Sequence, residues 1–149
     1  MADNRTQAQR SYNMSRIRSK NTKPEILVRK FLFSKGYRYR LHNTKLPGKP
    51  DLVLKKHKCV IFIHGCFWHG HPNCKFAKKP ATNAHFWSDK IAANCNRDLK
   101  NLDLLCQLDW NVITIWECDL SKESLANTLK LLLNGINSKR SIPIHIRPQ

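Results

Sequence analysis

Apolar positions along the chain change period several times, and each change marks an element. Thr22-Lys23-Pro24-Glu25 opens a helix, with Thr22 as the N-cap, Glu25 three residues on as in a capping box, and Pro24 in the tolerant first turn. Ile26, Leu27, Phe31 and Leu32 give that helix its apolar face, and Gly36 ends it. Tyr37 to Leu41 alternates aromatic and basic residues, the pattern of a strand with one wet face. Turn residues follow at Asn43-Thr44 and Leu46-Pro47-Gly48-Lys49. Residues 50–54 and 59–64 are two apolar runs around Lys55-Lys56-His57-Lys58, which predicts a β-hairpin. With a four-residue loop, Leu54 faces Cys59 and Asp51 faces Phe62. His64 is then a diagonal neighbour of Asp51 on the same face, at roughly 7–8 Å.

A loop at Pro80-Ala81-Thr82-Asn83 leads into a long helix from about Trp87 to Gln107. Ile91, Cys95, Leu99, Leu102 and Cys106 recur there at helical spacing, so Cys95 and Cys106 are expected to be buried thiols. Asn111 to Trp116 is a β-branched strand, and Ser121 is placed to cap a last helix carrying Leu125, Leu129, Leu132 and Ile136 on one face. No pattern emerges after Ser138. Helices alternating with a few strands predict a mixed α/β fold, and 149 residues suit one domain.

Residues 1–21 depart from this patterning. They carry Arg5, Arg10, Arg16, Arg18 and Lys20 but only Met14 and Ile17 as sizeable aliphatics, so they are expected to form a flexible basic arm ahead of a domain at 22–149. Lone apolar residues on such an arm suit wedging between base steps as well as local packing. The whole chain shares the bias: 27 Lys+Arg against 10 Asp+Glu, a formal charge of +17. Such a surface attracts polyanions. No amphipathic basic helix with a membrane-facing apolar side stands out, which favours nucleic acid over lipid. No apolar run reaches the ~20 residues of a membrane span, and the N-terminus has no signal-peptide core, so a cytoplasmic location is expected. In that reducing compartment six cysteines are expected to be thiols or metal ligands rather than disulfides.

The densest chemistry is His64-Gly65-Cys66-Phe67-Trp68-His69-Gly70-His71-Pro72-Asn73-Cys74. Cys66, His71 and Cys74 have the short gaps that let one loop wrap a tetrahedral Zn²⁺. For the fourth ligand, Cys59 lies within a strand and Cys95 and Cys106 within an apolar helix stripe. Cys118 sits just past a strand that can run beside 59–64, so it completes a structural site. His64 and His69 remain for acid/base work near neutral pH. Phe67 and Trp68 are an aromatic pair that a zinc site does not require.

Taken together, Asn13-Met14-Ser15, Lys20-Asn21-Thr22-Lys23-Pro24-Glu25, Gly48-Lys49-Pro50-Asp51, the 64–71 run, Pro80-Ala81-Thr82-Asn83, Phe86-Trp87 and Trp116-Glu117-Cys118 resemble the very short patch repair (Vsr) endonucleases over residues 11–135. The resemblance implies a restriction-endonuclease-like fold and a monomeric, Mg²⁺-dependent DNA nickase. The implied substrate is duplex DNA with a T·G mismatch left by 5-methylcytosine deamination, cut 5′ to the thymine, with mismatch-repair proteins as further partners. It casts Asp51 as the metal-binding carboxylate, with the backbone carbonyl of Ile63 (Thr in some members) helping to hold the ion. His64 and His69 match active-site histidines, His69 being the better acid/base candidate. Glu25 matches a carboxylate near the metals, a role compatible with closing the capping box. Phe67, Trp68 and Trp87 match aromatics inserted beside the mismatch, and Met14 matches a residue of the arm that approaches from the minor groove. Arg16, Arg18 and Lys20 supply phosphate contacts. The competing reading is a non-catalytic, zinc-stabilised nucleic-acid-binding module, which leaves Asp51, His64 and His69 without a task.

Overall fold

The computed structural model describes residues 5–16, 20–138 and 144–145. In the basic N-terminal segment, Thr6 and Gln9 cap each other reciprocally, Gln9 N donating to Thr6 Oγ1 at 3.2 Å and Thr6 N to Gln9 Oε1 at 2.8 Å. This capping box starts α1 (Gln7–Ser15), which buries no residue. Local bonds and the stacking of Arg16 on Tyr12 hold it rather than a core.

Helix α2 (Lys23–Ser34) starts at Thr22 as expected, but its buried face is Glu25, Val28 and Leu32. Ile26, expected on that face, is exposed. β1 is only Arg40–Leu41, shorter than the expected strand over 37–41, because Tyr37 and Tyr39 turn onto the core instead of pairing. β2 (Leu52–Leu54) and β3 (Cys59–His64) form the predicted hairpin with Leu54 opposite Cys59, Val53 opposite Val60 and Leu52 opposite Ile61. Lys58 takes the left-handed conformation, φ 51°, that closes the turn.

Helix α3 (Ala84–Gln107) begins three residues earlier than the sequence predicts. It carries the chain back to β4 (Asn111–Trp116), which lies parallel to β3 with Cys59 beside Asn111 and His64 beside Trp116. Cys95 and Cys106, expected to be buried, are half-buried and Leu99 is exposed, while Ile91 of the predicted stripe is buried together with Leu105. Leu102 and Cys106 of the predicted stripe pack against the same core, so the contact face is the predicted one, narrowed at Leu99 and extended to Leu105. α4 (Leu125–Asn137) is preceded by Ser124, not capped by Ser121, whose carbonyl instead accepts from Leu125 N at 2.9 Å. β5 (Ile144–His145) pairs parallel to β4, completing the order β1-β2-β3-β4-β5.

Period-two alternation sorts the sheet into two faces. Leu52, Leu54, Cys59, Ile61, Ile113 and Ile115 pack against Val28 and Leu32 of α2 and Leu132 and Ile136 of α4. Val53, Val60 and Val112 pack against Leu105 of α3. Followed outward, this second face runs from Val60 to Phe62 and His64, and from Val53 to Asp51. Its apolar half is core, and its polar end is where the chemistry gathers. Among the described residues no helix is long and apolar enough to cross a membrane.

Candidate active site and metal centre

A cleft of about 690 Å³ opens at that polar end, with Glu25, Asp51, His64, Trp68, His69 and Asp98 among its walls. Asp51 stands just before β2, and its Oδ2 accepts from Ile63 N at 2.7 Å. Burial pushes its carboxyl from the ordinary 3.8 up to about 6; the Ile63 N–H opposes this, Glu25 adds to it, and His69 and Arg29 oppose it more weakly. Glu25 donates its backbone N–H to Thr22 Oγ1, at 3.5 Å. Its carboxylate does not close the box on Thr22. Oε2 accepts from Asn21 N at 3.0 Å and from Arg29 Nη2 at 2.8 Å.

His64 and His69 stack face to face, centroids 3.8 Å apart and planes within 2°. His69 Nδ1 lies 2.6 Å from Asp98 Oδ2. An ionised carboxylate only accepts, so Nδ1 carries the proton of this contact, and in the neutral ring Nε2 keeps the lone pair. Asp98 and His42 are the residues that sequence reasoning missed. Asp98 had a signal: it interrupts the helical stripe through 91, 95 and 102 with a carboxylate. His42, at φ 47°, places Nδ1 3.9 Å from Asp51 Oδ1 and Nε2 3.5 Å from Glu25 Oε2. Its only signal was adjacency to a turn.

Behind the cleft, Cys66, His71, Cys74 and Cys118 bring one ligand atom each within 4.8 Å of one another. Parallel pairing of β3 and β4 is the cause, since His64 and Trp116 end the strands side by side and the loops beyond them meet. His71 stacks on Trp116 at 4.0 Å, with Nδ1 3.4 Å from Cys118 Sγ. Burial pushes the Cys66 thiol up to about 12, with the neighbouring Cys118 and Cys74 thiols involved. A group so costly to ionise alone suits a site where a cation compensates the thiolate. None of the six cysteines is in a disulfide.

The loop between these two sites is pinned to α3. Asn94 Nδ2 donates to Trp68 O at 2.9 Å, and Cys95 Sγ to His69 O at 3.3 Å. Gly70 adopts φ +59°, and a Cβ there would stand 2.7 Å from Ile91 Cγ2 and 3.0 Å from Cys95 Sγ. Only glycine suits both the backbone and the gap. Phe67, Trp68 and Trp87 form a mutual edge-to-face cluster, centroids 5.1–5.9 Å apart. Met14 reaches the cleft wall, Arg16 and Lys20 are exposed, and Arg18 lies outside the described residues.

The family described as DNA mismatch endonuclease Vsr matches residues 2–75. Type II nicking enzyme V.NmeAIP of Neisseria meningitidis serogroup A is 50% identical over 125 residues, covering 84% of this chain and 89% of that protein. Type II nicking enzyme V.XorIIP of Xanthomonas oryzae is 46% identical, covering 81% and 88%. DNA mismatch endonuclease Vsr of Escherichia coli K12 is 42% identical, covering 80% and 76%. With identity at this level across most of its length, the chain belongs to the Vsr family of DNA mismatch endonucleases.

Proposed function

We propose that this chain is a monomeric, cytoplasmic, Mg²⁺-dependent endonuclease. In this reading it nicks duplex DNA on the 5′ side of the thymine of a T·G mismatch, the product of 5-methylcytosine deamination, and hands the nick to mismatch-repair proteins. One observation carries the reading: Asp51, His64 and His69 share a single cleft whose rim bears Trp68. The names of the E. coli and Neisseria relatives, a mismatch endonuclease and a nicking enzyme, support it. The mixed sheet with Asp51 at the start of a hairpin fits a restriction-endonuclease-like core, with the basic arm at 1–21 and the nuclease domain at 22–149.

The residues fit a divalent ion at Asp51. With Oδ2 engaged by Ile63 N, Oδ1 remains, and a carboxylate lifted to about 6 by burial is one that an adjacent cation returns to its charged form. An extended residue presents its N–H and C=O along the same edge, so the Ile63 carbonyl would join Asp51 in holding the ion as a second oxygen ligand. Bound there, Mg²⁺ supplies neutralisation of the phosphate charge. His69 moves the proton. Asp98 fixes its Nδ1–H, leaving Nε2 to take a proton from the attacking water or return one to the leaving oxygen. His64, stacked beneath, holds the His69 ring in plane.

Cys66, His71, Cys74 and Cys118 make a closed set of sulfur and nitrogen donors, the chemistry of structural Zn²⁺ rather than of an open catalytic ion. Phe67, Trp68 and Trp87 wedge at the mismatched step while Met14 approaches from the arm, and Arg16, Arg18 and Lys20 hold phosphates. Nicking of a T·G duplex in Mg²⁺, set against binding in Ca²⁺, tests the reading. Asp51→Ala should bind and not nick. Equal nicking by the variant removes Asp51 from the mechanism, and binding without nicking by the wild type leaves a non-catalytic module.

A further inference from the structure

The end of the sheet opposite the cleft carries a concentration of charge of its own. β3 and β4 run parallel, from Cys59 and Asn111 at that far end to His64 and Trp116 at the cleft. β3 is six residues long, which puts the two ends on the order of 20 Å apart. Four segments meet at the far end: the close of α2, the β2–β3 turn, the α3–β4 turn and the close of α4. The rings of Tyr37 and His57 stand 5.1 Å apart, Lys58 O accepts from Asn111 N at 2.9 Å, and Tyr37 Oη donates to Asn137 Oδ1 at 3.4 Å.

Within residues 33–38, 55–58 and 109–110, Lys35, Arg38, Lys55, Lys56 and Lys58 are all exposed, against the single carboxylate of Asp109. Among the described residues none of these five cations is in an ion pair. Two of them are held in place by rings and carbonyls. The Arg38 guanidinium lies 3.9 Å from the centre of the exposed Phe33 ring, and its Nη1 donates to Phe33 O at 3.4 Å and Tyr37 O at 3.0 Å. Lys58 Nζ lies 4.5 Å from the centre of the Trp110 ring, and Lys58 N donates to Lys55 O at 3.1 Å to close the turn. Cations gathered so closely repel one another, and a polyanion relieves that repulsion. Because part of the set is already ordered, binding costs it little further side-chain entropy. A duplex offers a charge every ~1.7 Å of its axis, the density such a group of cations matches. The duplex gripped at the cleft lies at the other end of the strands, so the charge that meets this pole comes from elsewhere.

We propose that this pole is a second nucleic-acid surface, which takes the phosphate backbone of another DNA segment while the cleft holds the first, so that the protein passes directly from segment to segment. The inference rests on the reading of the cleft as a duplex-binding site. The contacts are to phosphate and carry no sequence preference. Their purpose is search: a protein that hands itself between segments samples more DNA before each release into solution.

The test follows the release of a fluorescent T·G duplex in Ca²⁺, by anisotropy, after mixing with rising concentrations of an unlabelled matched duplex. Wild-type release should quicken in proportion to the competitor, because the second duplex binds before the first departs. Lys55→Gln/Lys56→Gln should cut this competitor-dependent rate by about tenfold or more near 0.15 M salt, the effect of losing two phosphate contacts, with nicking in Mg²⁺ unchanged. The same charge removed at the exposed Lys122 and Lys130 should leave transfer intact. Release that ignores competitor concentration in wild type, or transfer that is equal in wild type and the Lys55/Lys56 variant, overturns the inference. An equal loss in the Lys122/Lys130 variant does so too, by tracing the effect to net charge. Poly-glutamate that speeds release as well as duplex does, at equal charge concentration, assigns the pole to an acidic protein instead. A wild type that fails to hold the labelled duplex in Ca²⁺ sinks the reading of the cleft and this inference with it, whereas the other outcomes leave the cleft untouched.

Discussion

Asp51→Asn should make the protein more stable while removing its activity. Burial lifts the carboxyl from 3.8 to about 6, so the folded state holds that proton more tightly than the unfolded chain does. The sign follows: the proton's contribution to stability is complete below about pH 3.8 and is lost as pH rises through about 6. At pH 8 the ionised Asp51 therefore costs the fold about 3 kcal/mol at most, with nearby Arg29 and Ile63 N–H already counted in the displaced value. Asparagine keeps the shape, and its oxygen can still accept from Ile63 N. The gain should approach ~3 kcal/mol at pH 8, roughly 6–12 °C in Tm for a chain of this length, and vanish near pH 4. The assay is thermal melting from pH 4 to 8 without added divalent ions and without chelator, which would strip the cysteine site. Added Mg²⁺ should stabilise wild type more than the variant. A variant whose Tm gain is the same at pH 4 and pH 8, or absent at pH 8, refutes the argument that Asp51 is a destabilising buried carboxylate.

Three further outcomes concern the loop after β3 and the residues that act with it. Gly70→Ala should lose about 2–4 kcal/mol in denaturant unfolding, since its Cβ meets Ile91 and Cys95 and its φ is left-handed; an unchanged midpoint would mean the loop lifts off α3 freely. Cys118→Ser should lower bound zinc and cost upwards of about 3 kcal/mol in melting, and unchanged metal content would remove it from the ligand set. Trp68→Ala should narrow the T·G over T·A nicking ratio by roughly 1–3 kcal/mol, whereas Arg16→Ala should weaken both duplexes alike and flatten the salt dependence; one common factor for both substrates in Trp68→Ala would place mismatch recognition elsewhere.

What could be read in the sequence was whatever local spacing determines. The hairpin register follows from alternation around a four-residue turn, which put Leu54 opposite Cys59 and carried Asp51 towards His64. The meeting of Cys118 with the 66–74 loop needed one tertiary assumption, that the strand before it lies beside 59–64, and the parallel pairing of β3 and β4 supplies it. Asp98 left only a weak mark, a carboxylate breaking the apolar stripe of α3, and His42 only its place beside a turn, because each meets its partners from a separate element. Helical periodicity found α3 but assigned it too wide an apolar face. Leu99 fitted the stripe and is exposed, because a helix resting on one face of a sheet buries only the side that touches it. β5 is two residues long, and its pairing depends on β4 rather than on its own pattern.

The arrangement of the 64–74 loop bears on how mismatch recognition and chemistry are joined. His69 lies between Trp68, on the rim, and Gly70, wedged against α3, and both neighbours are tied to that helix through Asn94 and Ile91. Trp68 cannot move far without dragging the His69 ring, which is itself clamped between Asp98 and the face of His64. Insertion at a step that resists opening would therefore strain the proton-transferring group, whereas a mispaired step that opens at lower cost would leave it in place. A loop whose Cys66, His71 and Cys74 cluster with Cys118 and whose Gly70 fits against α3 would give up little conformational entropy on insertion, so the opening cost of the DNA would decide the outcome. On this argument loosening the anchor, as in Gly70→Ala, should erode discrimination along with rate, because a mobile Trp68 no longer reports the state of the base step to His69.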